Sequence, residues 1–337
     1  MRLRVSTAEL ELAETFALAR GARETTAVVQ VEIEHEGLVG RGEGAPVDYW
    51  GETSESARAF LEGEGAEALG DDPFGLEAIG ERLAEHPGEQ AAKCALDGAL
   101  HDWLGRRLRQ PIWRLLGLRR DAPATSYTIS VDSLEGTVDR VRRARGFPAL
   151  KLKLGGGGDL ERLRAVRAET DVPVRVDCNE GWTLEQAREL IPVLVELGVD
   201  LLEQPLPAAD AEGYRALYEI KPRPPVYVDE GCSDLRSVAP VASYADGINA
   251  KLAKAGGIRE AVRMIHAARA LDLGIMLGCM VESQLGVAAA AQIASLADFA
   301  DLDGHLLLAT SPFEGLELSE GRVLPSAEPG LGVHPAP

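Results

Sequence analysis

From about Ser126 onward, short β-rich runs recur at a near-even interval: SYTISV near 128, ALKLKL near 151, VPVRVDC near 176, VDLLE near 201, PVYVDE near 227, GINAKL near 249, GIMLGC near 276 and ADLDG near 302. Between them lie amphipathic stretches such as Thr183 to Leu197 and Ile258 to Leu271, each long enough for one helix. Eight alternating units restrict an α/β chain to a closed parallel (β/α)8 barrel or an open doubly wound sheet. Closure is the expectation here, because the periods are near-equal, carry no long insertion and contain no G-x-G-x-x-G fingerprint.

The segment before this region reads differently. Val28 to Glu34 alternates at period two before the turn His35-Glu36-Gly37, which predicts antiparallel strands over the first 50 residues. From Ser54 to about Leu108 the period becomes helical, with Ala91, Ala92, Ala95, Leu96, Ala99, Leu100 and Trp103 on one stripe. The expected organisation is an α+β capping domain over 1–122, a catalytic barrel over 123–310, and a Gly- and Pro-rich tail over 311–337 that packs back on the first domain.

A formal net charge of -19 disfavours nucleic acid and anionic membrane surfaces as partners. Cys94, Cys178, Cys232 and Cys279 form no C-x-x-C pair, and the N-terminus has no long apolar run, so a reducing cytoplasmic location is expected. Of 35 basic residues only six are lysines, namely Lys93, Lys151, Lys153, Lys221, Lys251 and Lys254. Arginine carries most of the positive charge, so lysine is expected where an ammonium must give up its proton, which a guanidinium cannot do.

In a barrel of this kind the site lies at the carboxyl ends of the strands. Three successive strands end in Asp177, Glu203 and Asp229, spaced by 26 residues each time. Carboxylates brought together repel unless a cation neutralises them, and an all-oxygen set selects one hard divalent ion, Mg2+ ahead of Mn2+. Lys151 and Lys153 share one face of the second strand, and their proximity should lower the pKa of each. Lys251, at the end of the sixth strand, faces them across the mouth. Either Lys151 or Lys153 could instead simply neutralise the acids, Lys151 being the better candidate for that role. Lys254 is expected to pair with charge in the following turn.

A base on each side of a metal-bound carboxylate suits removal of an α-proton, with return to the opposite face inverting configuration. Asp301 and Asp303 at the eighth strand could hold a cationic group, or Asp303 could cap a helix. The run Gly155 to Gly158 lacks the Lys-Ser or Lys-Thr of a phosphate loop.

Taken in order, Lys151-x-Lys153, Asp177-x-Asn179, Glu203-Gln204-Pro205, Asp229-Glu230 and Asn249-x-Lys251 resemble the muconate lactonizing enzyme subgroup of the enolase superfamily. Lysine bases with Mg2+-stabilised ene-diolates are that superfamily's known pattern. The resemblance implies Asp177, Glu203 and Asp229 as Mg2+ ligands, Lys153 and Lys251 as the acid–base pair, and Lys151 as an electrostatic helper. Asp301-x-Asp303 is similar to the motif by which dipeptide epimerases hold a substrate ammonium. The run Phe16 to Arg23 is similar to their specificity loop, which implies that Arg20 binds a glutamate side-chain carboxylate. The implied activity is epimerisation of the C-terminal residue of a dipeptide such as Ala-Glu, in cell wall peptide metabolism, by a self-associating protein. The alternative on the same frame is an N-acylamino acid racemase, an o-succinylbenzoate synthase or a cycloisomerase.

Overall fold

In a computed structural model describing residues 1–337, the first three strands, β1 (Arg2–Leu18), β2 (Gly21–His35) and β3 (Leu38–Gly44), form an antiparallel sheet. Glu36 and Gly37 both adopt positive φ between β2 and β3, as a two-residue hairpin turn requires. Period-two patterning turns Val29, Val31 and Ile33 inward, where they bury against the long helix Gln90–Leu108.

That helix lies directly on β3. A side-chain carbon on Gly40, Gly42 or Gly44 would stand 2.1, 2.0 or 2.0 Å from the carbonyl oxygens of Ala99, Ala95 and Ala91. Two strand residues advance about 6.6 Å and four helix residues about 6 Å, so alternate glycines meet every fourth alanine.

Eight parallel strands follow in sequence order: β4 (Tyr127–Ile129), β5 (Leu150–Lys153), β6 (Val174–Asp177), β7 (Val199–Glu203), β8 (Val226–Val228), β9 (Gly247–Lys251), β10 (Gly274–Gly278) and β11 (Phe299–Asp301). Each coincides with one of the sequence periods. Parallel pairing of Thr125 with Ala300, with Ser126 N donating to Ala300 O at 3.2 Å, joins the last strand to the first and closes the barrel. Thr183 and Asp234 start two outer helices with capping boxes, the first running over Leu184–Glu196.

Beyond β11 the chain makes only a short 3-10 turn, Gly304–Leu307. The tail then lies against both layers. Phe313, Val323, Leu331 and Val333 join the barrel core, whereas Leu331 N donates to Asp102 and Arg106 to Val333 O on the long helix. No helix is long and apolar enough to cross a membrane.

Candidate active site

The strand register sets the site. Lys153 pairs across β5 and β6 with Asp177, and Asp177 across β6 and β7 with Glu203, so these three side chains stand at one level of the mouth. Gly278 on β10 is in register with Lys251 on one side and Asp301 on the other. A side chain at Gly278 would meet Asn249 Oδ1 at 2.6 Å and Lys251 Cε at 3.0 Å, so the glycine makes room for the lysine.

Lys151 is almost completely enclosed, and its ammonium touches Asp177 Oδ2 at 2.9 Å, Glu203 Oε2 at 2.8 Å and Asp301 Oδ2 at 2.6 Å. Lys153 Nζ donates to Asp177 Oδ2 at 2.6 Å, and Lys251 Nζ to Asp229 Oδ2 at 2.7 Å. Lys254 Nζ reaches Asp229 Oδ1 at 2.6 Å and the carbonyls of Asp229 and Asn249 at 2.7 Å each, the charge pairing expected of it.

The expected mutual lowering of lysine pKa values does not describe Lys151. Burial works in that direction, but Asp177, Asp301 and Glu203 together outweigh it and hold the Lys151 ammonium well above its ordinary range. Lys251 is raised as well, burial being overcome by Asp229. Buried Asp177 is held below the usual carboxylate range by Lys151 and Lys153, and buried Asp229 by Lys251 and Lys254. Glu203, in contrast, is pushed up to about 7 by burial and the negative charge of Asp177.

Asp177, Glu203 and Asp229 therefore share one acidic cluster but are not grouped about a common point at ligand spacing, because lysine ammonium groups stand among them. The cluster nonetheless has a surplus of acceptors. Glu230 Oε2, Asn179 Oδ1 and Asn249 Oδ1 are buried and receive no hydrogen bond, and Glu203 Oε2 has only the Lys151 ammonium beside it. Buried acceptors without donors call for a partner, and an all-oxygen set fits a hard divalent cation. Asn179, Asn249 and Glu230 were visible in the sequence motifs, yet nothing in their spacing gave them a role.

Each oxygen of Asp301 already has a partner, Oδ1 accepting from Ser126 Oγ at 2.8 Å and Oδ2 from Lys151 at 2.6 Å. Asp303 Oδ2 accepts from Thr128 N at 2.6 Å. Although Asp303 occupies the N-cap position of the Gly304–Leu307 turn, its side chain makes no capping bond, which removes the capping role. Burial and the neighbouring Asp301 push Asp303 up to about 7, as expected of a carboxyl group facing too little positive charge.

A cavity of about 1030 Å³ opens above these groups, lined by Lys151, Lys153, Lys251, Asp301 and Asp303 below and by the β1–β2 hairpin above. Both arginines at the tip of the hairpin, Arg20 and Arg23, reach it. Arg20 Nη2 donates to Glu230 Oε1 at 2.7 Å and Nη1 to Glu180 Oε2 at 3.2 Å, and its guanidinium lies 4.5 Å from the Tyr49 ring centre. Arg20, the residue expected to meet a substrate carboxylate, is held here by two protein carboxylates. Arg23, three residues on, lines the same cavity with no hydrogen-bond or ion-pair partner.

A family model described as Enolase C-terminal domain-like matches residues 134–337, and one described as Mandelate racemase / muconate lactonizing enzyme, N-terminal domain, matches residues 2–117. The chain is 39% identical over 329 residues to the L-Ala-D/L-Glu epimerase of Bacteroides thetaiotaomicron, covering 96% of this chain and 85% of that one. It resembles the substrate-liganded structure of the L-Ala-D/L-Glu epimerase from Bacillus subtilis at a TM-score of 0.95, with 31% identity and coverage of 100% and 99%. The structure of the dipeptide epimerase from Enterococcus faecalis V583, complexed with Mg and L-Leu-L-Tyr, gives 0.92, with 32% identity and 98% of each chain covered.

Proposed function

The chain belongs to the mandelate racemase and muconate lactonizing enzyme family of the enolase superfamily, and from that premise we propose that it is a Mg2+-dependent dipeptide epimerase that inverts the α-carbon of the C-terminal residue. The observation that carries this reading is the placement of Lys153 and Lys251 on β5 and β9, four strands apart in a closed ring of eight. Each lysine is buried, and the two approach the cavity from opposed walls.

Asp177, Glu203 and Asp229 would hold the ion, which would take its place among the ammonium groups that now contact these carboxylates. Bound there, Mg2+ would supply positive charge beside the substrate carboxylate, where removal of the α-proton leaves negative charge. One lysine, as the free amine, takes that proton. The other, as the ammonium, returns one to the opposite face of the carbon, so proton and charge balance and the configuration inverts. Lys151, fixed as an ammonium among three carboxylates, takes no proton itself and keeps the cluster from flying apart. Asp301 and Asp303 hold the α-ammonium of the dipeptide, Asp303 being the one with capacity to spare. Arg23, not Arg20, is assigned to an anionic side chain on the epimerised residue, because its guanidinium is the unpaired one.

The Asp301 and Asp303 pair supports a substrate with a free ammonium over the acylated or cyclic substrates of an N-acylamino acid racemase, an o-succinylbenzoate synthase or a cycloisomerase. With four free cysteines, a cytoplasmic role in processing cell wall peptides, by a protein that self-associates, completes the reading. The test is to incubate L-Ala-L-Glu in D2O with the protein, before and after chelation by EDTA. Deuterium at the glutamate α-carbon with formation of the L,D isomer, abolished by EDTA and restored by Mg2+, is expected. Absence of exchange across a panel of dipeptides would refute it.

A further inference from the structure

The β1–β2 hairpin reaches over the barrel mouth, and its tip is secured at three points. Val131 N donates to Ala17 O at 2.9 Å. The Ala19 methyl sits over Gly155 and Gly181: a side-chain carbon on either would lie 3.2 or 3.1 Å from it and 2.8 Å from Cys178 O. Arg20 makes the third contact through Glu180 and Glu230, and Glu230 leads into the acidic cluster.

Glu230 Oε1, which accepts from Arg20, also accepts from Asn179 Nδ2 at 3.2 Å, and Asn179 N donates to Asp177 Oδ1 at 2.9 Å. One chain of hydrogen bonds therefore runs from the hairpin tip to Asp177. Asn179 and Glu180 stand at φ of 42° and 68°, left-handed positions that side chains disfavour, so contacts from outside must hold this segment in place. For Glu180 those contacts are Arg20, Tyr49 Oη at 3.0 Å and Ala208 N at 2.6 Å.

We propose that Arg20 is a positioning residue that couples closure of the β1–β2 hairpin to the order of the metal-binding carboxylates, acting through Glu230 and Asn179. The inference rests on the reading that Asp177, Glu203 and Asp229 bind Mg2+. Arg20 acts on other side chains and not on the substrate, because both its carboxylate partners belong to the protein. By thermodynamic reciprocity, if the closed hairpin favours the ligand geometry, the bound ion favours the closed hairpin.

The experiment titrates Mg2+ calorimetrically, without substrate, into the full-length wild type and the variants Arg20→Met, Arg20→Lys and Arg23→Met. It also follows hydrogen exchange of the amides of 14–23 with and without Mg2+. Outer-shell changes of this kind weaken metal binding by about 10-fold or more, which is expected for Arg20→Met. The lysine, which keeps the charge but loses the fork, should also weaken binding. Mg2+ should slow exchange in the hairpin of the wild type and of Arg23→Met but not of Arg20→Met.

A charge effect alone has the opposite sign, because removing a cation beside a cation site tightens Mg2+ binding. Unchanged or tighter binding by Arg20→Met therefore overturns the coupling while leaving the proposed function intact. Failure of the wild type to bind Mg2+ overturns the metal reading and this inference together.

Discussion

Lys153 on β5 and Lys251 on β9, four strands apart in the ring of eight, meet one acidic cluster: each Nζ holds a different carboxylate, Asp177 at 2.6 Å and Asp229 at 2.7 Å. Acid–base residues contribute roughly 100-fold to 10,000-fold to rate, so Lys153→Ala and Lys251→Ala should each lower epimerisation by that order. Each variant should still exchange the α-hydrogen of one configuration in D2O and lose exchange of the other. Epimerisation at wild-type rate in either would remove that lysine from the mechanism.

Lys151 has a different task, and its loss should be felt in stability. Lys151→Met leaves Asp177, Glu203 and Asp301 buried without their shared ammonium. Removing one partner of a buried ionic network costs about 3–5 kcal/mol. Urea unfolding in EDTA measures this, and a midpoint equal to wild type would show that the ammonium is dispensable to the fold.

The Asp303 carboxyl, held up at about 7 by burial and Asp301, gives substrate capture a pH dependence. Below that value the group is protonated and neutral, and above it is an anion that attracts an ammonium. The value of kcat/KM, which reports the free enzyme, should therefore rise as pH climbs through about 7. Asp303→Asn should lower kcat/KM and flatten that rise, and a profile identical to wild type would exclude Asp303 from ammonium binding.

Glu282 lies behind strand β10, buried near the equally buried Glu43 of the capping sheet, and burial with that neighbouring charge pushes it up to about 8. Its folded pKa lies above the unfolded one, so the native state binds more protons across this window. Stability must fall as pH rises from the ordinary carboxyl range to about 8, levelling off above it. Glu282→Gln should flatten that slope and be more stable than wild type near pH 9. Parallel stability curves would contradict it.

Where the long helix rests on β3, Gly42→Ala places its new carbon 2.0 Å from Ala95 O, a backbone atom that no rotamer can move. Overpacking costs about 1–3 kcal/mol, and the shift should appear as a lower thermal midpoint. A midpoint unchanged from wild type would mean that the helix can lift away freely.

Much of this architecture is written in local patterns. The eight periods became strands, and in two of them, Leu150–Lys153 and Val174–Asp177, every position is buried; the alternation there separates apolar residues such as Leu150, Leu152, Val174 and Val176 from the charged residues between them. The stretch Thr183 to Leu197 became the helix Leu184–Glu196, its start marked by its capping residues. The acids and lysines at the strand ends were legible because a barrel gathers strand ends at one mouth.

The partners of those charges were not legible. Lys151 and Asp301 are 150 residues apart in sequence yet touch at 2.6 Å, and no spacing rule relates them. Arg20 and Arg23 look interchangeable along the chain. Only the closing of the hairpin over Glu180 and Glu230 occupies one and leaves the other unpaired.

The sequence by itself determined the strand count, the barrel, and the identity and level of the groups at its mouth, because those follow from periodicity and from which residues end each strand. Tertiary structure alone decided which ammonium each carboxylate holds, which of two hairpin arginines is paired, and how alternate glycines of β3 seat the alanines of a helix. Those outcomes depend on distances between segments far apart in the chain, and electrostatic energy varies with such distances and with burial, quantities that local patterning does not encode.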